Sequence, residues 1–567
     1  MSSLLSAVHE SHRKPLVACI ASMFALSAPM SVLAIPTTWP VSNCNSSGPG
    51  SLREVIAAAT TMSGDTVDMS GLPDLPVPCS TITLTVGEIY IDQLNLKIKG
   101  PGASKLIIDG TQLPGGSTYL DNSRLFTHTQ AGSLTIEDVT LSGGHVYHNG
   151  NGLAYRSLGG CVSSQGNVTL TNVHVASCSA VHGSGNTVLG GGVYAKGSLT
   201  LDNSTLTGNT ANGGGTTRGG GAYAHGVLSI NHSTVTGNSA IGSETRGGGL
   251  YALDNLIVKF SDLAGNTATA NGSSVRGGAA RSGATLAVKY STVSGNSVFG
   301  PVLAGNEPSY KYALGGGLSA GSNAYIRQST VSNNYSNGSM AGVDVLGGFL
   351  VASGLGMEIY SSTISGNHAQ KLVGGVFTNV GTVKIRNSTI AFNTSGLGQT
   401  GPGPFNFYAP GLAFSGQASN MNVILQSTIV SNNYVVGLGE SDLTTTSTSI
   451  HTITFDAASS NNLARAVSVS NGTNGFPVDT RAGCPLLGTL RDNGGLTWTH
   501  ALMTTSAAID FGSNPKSYLE DQRGVQADTP PFLYPRESKG VADIGAYEVN
   551  QDEIVFGANF EGCPVLE

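Results

Sequence analysis

Residues 247–266 read GGGLYALDNLIVKFSDLAGN and contain the two signals that decide the fold. The segment opens with three glycines and closes with a Ser-x-x-x-Gly-Asn pattern. Between these signals, apolar residues recur two positions apart, at Leu250 and Ala252 and again at Leu256 and Val258. A period of two is the strand period, so the segment predicts three short strands, each with one inward face.

Both signals recur along the chain. Fourteen residues separate the first glycine from the serine in six of seven units, and 15 in the unit at Gly347. The distance from the asparagine to the next glycine cluster varies, which predicts a fixed framework with variable loops at one corner. The clusters begin at Gly190, Gly219, Gly247, Gly277, Gly315, Gly347 and Gly374, and the asparagines are Asn209, Asn238, Asn266, Asn296, Asn334, Asn367, Asn393 and Asn432.

Such units cannot bury their own apolar faces, so neighbouring units must stack. The sequence therefore predicts an all-β, right-handed parallel β-helix of ~12–14 coils over residues 81–470. Composition agrees, with 79 glycines in 567 residues and only 11% charged residues. Glycine disfavours helix-rich folds. A net charge of −7 with sparse Lys and Arg argues against a nucleic-acid binder.

The two ends of the chain differ from the repeats. Residues 1–34 combine a basic start, an apolar run and a small-residue cleavage pattern, which predicts a signal peptide and an exported protein. No later apolar run is long enough for a transmembrane helix. We expect an N-terminal cap over residues 35–80 with a short helix capped by Ser51, a C-terminal β-rich domain over 471–550, and a tail over 551–567.

Two end motifs carry a resemblance to a known group. Ser51–Ile56 (SLREVI) resembles the CSLREAI-type cap of bacterial β-helix proteins with polymorphic outer-membrane-protein-like repeats. The segments at 492–495, 521–524 (DQRG) and 543–548 (DIGAYE) resemble the choice-of-anchor-type C-terminal domain of such exported proteins. The resemblance implies a secreted or outer-membrane, cell-surface location and implies no particular activity.

Six cysteines remain after the predicted signal peptide, and an even number in an exported protein indicates disulfides. Sequence alone leaves 15 pairings open. Two of the cysteines, Cys161 and Cys178, lie beside the predicted loop corner, which favours a disulfide that staples the coil. The sequence contains no Cys-x-x-Cys pair, so it predicts no metal site, and it contains no motif that predicts a cofactor. The six are Cys44, Cys79, Cys161, Cys178, Cys484 and Cys563.

One pair of residue columns is the candidate binding site. Tyrosines four residues after a first glycine alternate with inward residues, so their rings are expected to point outward; these are Tyr194, Tyr223 and Tyr251. Arginines directly precede three glycine clusters; these are Arg218, Arg246 and Arg276. Together they predict a strip that binds a sugar or a partner. The alternative is that the tyrosines only stabilise the sheet and the arginines are solvated.

Catalytic patterns are weak. Glycoside hydrolysis needs two carboxylates close together, and no acidic cluster lies in phase among the framework acids, nor in phase with Arg281 or Lys289. The asparagine row is interpreted as a structural amide ladder. We therefore expect an adhesin-like protein that binds an extracellular glycan or a host or cell-surface protein along one loop-bearing face. A β-helix polysaccharide lyase or hydrolase, and a passive surface protein, are the alternatives.

Overall fold

The computed structural model describes residues 36–60, 64–74, 78–113, 120–149, 156–183, 185–301, 313–345, 356–396, 409–416, 419–447, 450–524, 533–537 and 540–549. The predicted signal peptide (1–34) and tail (551–567), with Cys563, lie outside the described residues. The described chain forms a right-handed parallel β-helix whose strands belong to five sheets. We number the sheets 1 to 5 in the order in which one coil passes through them.

Sheets 1, 2 and 3 surround the central core. Sheet 1 consists of Ile89–Ile91, Phe126–His128, Val162–Ser164, Val193–Ala195, Ala222–Ala224, Leu250–Ala252, Ala280–Ser282, Leu318–Ala320, Val343–Val345, Val376–Thr378, Leu412–Gly416, Leu443–Ser447 and Val467–Ser468. Sheet 2 consists of Thr38–Pro40, Asp65–Asp68, Asn95–Lys99, Ser133–Glu137, Asn167–Thr171, Leu199–Asp202, Leu228–Asn231, Leu256–Lys259, Leu286–Lys289, Ala324–Arg327, Gly356–Tyr360, Thr382–Arg386, Met421–Gln426, Ile453–Phe455 and Thr473–Asn474.

Sheet 3 completes the central coil. Its strands are Thr81–Thr83, Ile107–Asp109, Thr140–Ser142, His174–Ala176, Thr205–Thr207, Thr234–Thr236, Asp262–Ala264, Thr292–Ser294, Thr330–Ser332, Thr363–Ser365, Thr389–Ala391, Ile429–Ser431 and Leu463–Ala464. Sheets 1 and 3 each contain 13 described strands, which agrees with the predicted number of coils.

Sheets 4 and 5 arise from the variable segments. Sheet 4 consists of Leu120–Ser123, His145–His148, Ser179–His182, Thr210–Gly213, Ser239–Gly242, Thr267–Ala270, Ser297–Phe299, Tyr335–Ser336, His368–Ala369, Thr394–Ser395, Tyr434–Val435 and Gly439–Glu440. Sheet 5 consists of Ser157–Leu158, Val188–Leu189, Thr216–Arg218, Glu244–Arg246, Val275–Arg276 and Ala313–Leu314. We call sheets 4 and 5 together the flange.

The flange differs from the prediction of three strands and a loop per coil. Its strands pair with their counterparts in neighbouring coils and enclose thin apolar cores of their own, one of which contains Ala268, Val275 and Val298. The hydroxyl of Thr245 in sheet 5 donates to the carbonyl of Thr269 in sheet 4 at 2.7 Å. Small side chains let the two sheets approach closely, and this pattern lacks the strong apolar alternation that reveals strands in a sequence.

The glycine cluster makes the turn from the flange back into sheet 1. Gly247 has a φ of 71°, a left-handed conformation that glycine adopts without steric cost. A Cβ on Gly248 would collide with the carbonyl oxygen of Gly278 in the next coil. The cluster therefore combines a backbone requirement with a close approach between coils.

A ladder of asparagine amides runs along the corner between sheets 3 and 4. Each amide Nδ2 donates to the Oδ1 of the asparagine in the next coil at 2.9–3.0 Å, through Asn209, Asn238, Asn266, Asn296, Asn334, Asn367, Asn393 and Asn433. The last member is Asn433, not the expected Asn432. The ladder ends on the carboxylate of Asp442, which accepts from Asn433 Nδ2 at 3.0 Å.

The N-terminal end is closed by a helix and a disulfide. The helix Leu52–Ala58 begins after Ser51, whose hydroxyl accepts from the Glu54 amide, as the sequence predicts. Leu52 and Ile56 are buried in the central core. A 3-10 turn follows at Leu72–Asp74. No helix among the described residues is long and apolar enough to cross a membrane.

Disulfides reinforce the N-terminal part of the β-helix. Cys44 is bonded to Cys79 and Cys161 to Cys178, which are two of the pairings that the sequence left open. Cys161 occupies the position of the third glycine, since its N–H donates to the Gly192 carbonyl, and Cys178 occupies that of the asparagine, since its N–H donates to Asn209 Oδ1. Their bond therefore joins the start and the end of one coil, where the flange leaves it. Cys484 is also disulfide-bonded.

The described part of residues 484–549 packs sideways on the outer face of sheet 3. It forms isolated antiparallel bridges, such as Leu487 to Leu502. The hydroxyl of Thr330 donates to the Trp498 carbonyl, and that of Thr363 donates to Gln522, both at 2.6 Å. These bonds tie the C-terminal segment to coils more than 150 residues earlier in the chain.

A buried cation organises this C-terminal segment. The Arg523 guanidinium lies 4.3 Å and 4.0 Å from the ring centres of Tyr534 and Tyr547, and it forms an ion pair with Asp521 at 2.9 Å. Asp521 and Tyr547 belong to the motif segments 521–524 and 543–548, and Tyr534 lies between these segments. The motif residues therefore hold the segment together internally.

Replacing Asn296 by alanine should destabilise the β-helix by about 1–3 kcal/mol, because buried amide partners above and below lose their bonds. Asn296 donates to Asn334 Oδ1 and to the Leu263 carbonyl, both at 2.9 Å. Urea unfolding followed by circular dichroism measures the change. The matched control is Asn271→Ala at an exposed position. Equal shifts for both variants would contradict a structural role for the ladder.

The docking of the C-terminal segment should weaken in acid through His500. Its Nδ1 donates to the Gly488 carbonyl at 2.7 Å and its Nε2 accepts from Ser365 at 2.8 Å. Burial lowers the pKa of His500 from 6.5 to about 4. The unfolded segment therefore binds a proton that the folded one excludes, so this stabilisation is complete above pH ~6.5 and is lost as the pH falls toward 4.

Limited proteolysis between pH 7 and 5 tests this dependence. We expect the opening equilibrium to rise up to about tenfold per pH unit below 6.5. His500→Gln, which does not titrate, should flatten that slope, whereas His232→Gln at an exposed corner should keep it. An unchanged slope in His500→Gln would show that another group controls the docking.

Candidate functional site

The predicted tyrosine and arginine columns face each other across the junction of the flange and sheet 1. Within sheet 5, Arg218 pairs in register with Arg246, and Arg246 with Arg276. Side chains alternate between the two faces of a strand, so the residues directly before two of these arginines, Thr217 and Thr245, point into the flange, where both are fully buried. The arginines therefore point the other way, over the outer face of sheet 1.

The three tyrosines form a stack on sheet 1. Tyr194, Tyr223 and Tyr251 are in register, with ring centres 5.5 Å apart and interplanar angles of 11–12°. Their rings lie outside the central core and form a separate cluster with Leu189 of sheet 5. The side chains are nevertheless only 8%, 3% and 1% exposed, because the flange covers the face that the sequence predicts to be open.

The covered stack contacts one of the arginines. The Arg218 guanidinium lies 5.3 Å from the ring centre of Tyr251, a cation–π distance. Burial raises the pKa of Tyr223 to about 12, although Arg218 opposes this shift. The tyrosine is therefore neutral at physiological pH and presents a π face and a hydroxyl to the cation.

The arginine column is more accessible than the tyrosines. Arg218, Arg246 and Arg276 are half-buried. Arg246 forms an ion pair with Glu244 on the same strand, and its side chain is 32% exposed. No carboxylate among the described residues pairs with Arg218 or Arg276. The column therefore carries an excess of positive charge in a protein whose net charge is −7.

The sequence reasoning missed the continuation of the tyrosine column. Arg281 is in register with Tyr251, Ser319 with Arg281, and Asp344 with Ser319. Arg281 Nη1 donates to the Ser319 hydroxyl at 2.5 Å, which donates to Asp344 Oδ2 at 3.1 Å. A carboxylate therefore does lie in phase with Arg281, two coils away, although it is a single acid.

A shifted glycine signal explains why Asp344 was missed. The sequence pattern places the glycine cluster of this coil at Gly347. In the structure, Gly342 occupies the position of the third glycine, because Leu318 N donates to the Gly342 carbonyl. Gly347 lies outside the described residues. The sequence could have revealed that Arg281 and Ser319 continue the tyrosine column, because each lies four residues after the first glycine of its cluster, as the tyrosines do.

The buried charges at this end of the column are strained electrostatically. Burial and, to a smaller extent, the nearby Arg276 and Arg246 together lower the pKa of Arg281 to about 10, although Asp344 opposes them. Burial raises the pKa of Asp344 as well. Arg281 Nε and Asp344 Oδ1 are buried and have no hydrogen-bond partner.

Other chemistry has less support among the described residues. They contain no group of three or more His, Cys, Asp or Glu side chains that could hold a metal ion. Glu358 is paired with Lys384 at 2.7 Å. No known family, curated protein or solved structure matches the chain.

Truncating the centre of the tyrosine stack should loosen the junction between the flange and sheet 1. Tyr223→Ala removes a buried ring between two others and should cost about 3 kcal/mol. Tyr223→Phe keeps the stacking and should cost less than about 1 kcal/mol. Urea unfolding of both variants measures the difference. Equally small effects would show that the stack contributes nothing to the junction.

Proposed function

We propose that the protein is exported and binds an extended extracellular glycan along the arginine column formed by Arg218, Arg246 and Arg276. The observation that carries the proposal is the column itself, three half-buried guanidiniums in register on consecutive coils. Neighbouring strands are ~4.8 Å apart, about the length of one sugar residue in an extended chain. Guanidinium groups bind oxygen acceptors in fixed, often bidentate geometries.

Export is supported by three features. The predicted signal peptide occupies residues 1–34, and the disulfides fit an oxidising compartment. The end motifs at Ser51–Ile56 and 543–548 resemble those of exported β-helix proteins with polymorphic outer-membrane-protein-like repeats. We extend this resemblance to a cap, a repeat region and an anchor-type C-terminal domain with the predicted boundaries.

The acidic residues near the arginine column favour glycan binding over glycan degradation, because both are already engaged by other side chains. A glycosidase needs two carboxylates on either side of the bond that it cleaves. At this junction Glu244 is paired with Arg246 and Asp344 is bonded to Ser319 in a buried position. Neither is free to activate water. A passive surface protein is the alternative that a binding experiment decides.

Replacing Arg218 and Arg246 together by glutamine should weaken glycan binding at least about tenfold, since each charged hydrogen bond contributes about 1.5–3 kcal/mol. The secreted protein is screened on an array of extracellular polysaccharides, and affinities are then measured by calorimetry. The control is Lys196→Gln, which removes a charge from an exposed residue outside the column. Binding that survives the double substitution would place the ligand elsewhere, and no binding at all would favour a passive role.

A further inference from the structure

We infer that the ligand is anionic and that Arg246, Arg276 and Arg281 form a site for one of its carboxylate or sulfate groups. The inference rests on the proposed function and names its ligand class. The three guanidiniums come from two facing sheets: Arg246 and Arg276 are adjacent in sheet 5, and Arg281 lies on sheet 1. They meet where the tyrosine stack ends.

The first argument is the charge at this place. Arg246 is paired with Glu244, and Arg281 reaches Asp344 only through the Ser319 hydroxyl. Arg276 forms no hydrogen bond or close ion pair with any described residue, although its charge is near enough to Asp344 to lower the pKa of that carboxyl. Burial lowers the pKa of Arg281 most, and the like charges of Arg276 and Arg246 lower it as well, so the three guanidiniums are close enough to repel one another. An anion would relieve that repulsion.

The second argument is an unused donor in a buried position. Arg281 is only 7% exposed, and its Nε–H has no acceptor. A buried unpaired donor on a charged group is costly unless something occupies it. The Nε atom of Arg246 is in the same condition. Two unpaired donors on neighbouring guanidiniums fit the two oxygens of a carboxylate, or two oxygens of a sulfate group.

The third argument is that the tyrosine rings are not available to bind a neutral sugar. Neutral sugars bind to proteins largely by placing a C–H face on an exposed aromatic ring. Tyr223 and Tyr251 are 3% and 1% exposed, and their faces are already occupied by neighbouring rings and by Arg218. The accessible groups of the junction are guanidiniums, so the ligand is selected by its charge.

The test uses the secreted protein and three polysaccharide probes: polygalacturonate, which carries carboxylates; heparin, which carries sulfates as well; and dextran, which is neutral. We expect at least one acidic probe to bind, with an affinity that falls as salt rises, and dextran not to bind. Arg276→Gln should weaken that binding at least about tenfold. Arg491→Gln, on the C-terminal segment away from the column, should leave it unchanged.

A second measurement keeps the site testable when no polysaccharide binds. The melting temperature is compared in sodium sulfate and in sodium chloride of equal ionic strength. Sulfate stabilises folded proteins in general by exclusion from their surface, so every variant should melt higher in sulfate than in chloride. The difference should be larger in the wild type and in Arg491→Gln than in Arg276→Gln, because only Arg276→Gln loses the specific contribution of the site.

The outcomes separate the two proposals. Binding of dextran that Arg276→Gln leaves intact would overturn the anion site and support glycan binding. If Arg276→Gln and Arg491→Gln weaken the binding of the acidic probe equally, the preference for acidic probes comes from the general surface charge, and the proposed site is wrong. A sulfate effect that Arg276→Gln reduces and Arg491→Gln does not, without any polysaccharide binding, would support the anion site and overturn glycan binding. Absence of both effects would overturn both.

Discussion

Equivalent residues of successive coils form columns along this β-helix, and the residues of one column must be able to pack against one another. The reason is that the parallel register places each residue ~4.8 Å from its equivalent in the next coil. Apolar columns satisfy the constraint by packing, and the asparagine corner satisfies it by bonding amide to amide at 2.9–3.0 Å. Aromatic columns satisfy it by stacking, at the tyrosines and also at His232, Phe260 and Tyr290, whose ring centres are 4.8 and 4.9 Å apart. The low charge of the chain has the same cause.

The arginine column violates this constraint. Like charges in register repel, and nothing in the packing of sheet 5 requires them, because Leu189 and Leu314 fill the same column position in the neighbouring coils. The protein offsets part of the cost with Glu244 and with the π faces of the tyrosines. A costly feature that packing does not need is where a functional constraint is expected, and this is why we assign the binding site there.

The periodic part of the structure was predictable from sequence, and the errors have physical causes. The strands around the central core follow from apolar residues two apart, and the helix follows from its Ser51 cap. The last asparagine was placed one residue early because the pairs Ser427-Thr428 and Asn432-Asn433 both fit the pattern. The structure selects the later register, since Thr428 N bonds to Asn462 Oδ1 in the next coil.

The candidate site was only half predictable. The spacing of the tyrosines and arginines revealed both columns, but their mutual contact depends on the flange, whose small residues carry little strand signal. Burial of the rings was therefore missed. The docking of the C-terminal segment on Thr330 and Thr363 was beyond sequence reasoning as well, because its partners are more than 150 residues apart and share no periodic signal.

The arginine column has to be stabilised locally, because of how a solenoid distributes stability. Each coil contacts mainly its neighbours, so a local weakness is not compensated from a distance. The C-terminal segment breaks this rule by tying together the coils from Gln328 to Ile429. On the other side, the Cys161–Cys178 disulfide staples the coil just before the column. The repelling arginines lie between these two reinforced stretches, so their electrostatic cost has to be offset locally, by Glu244 and by the tyrosine stack.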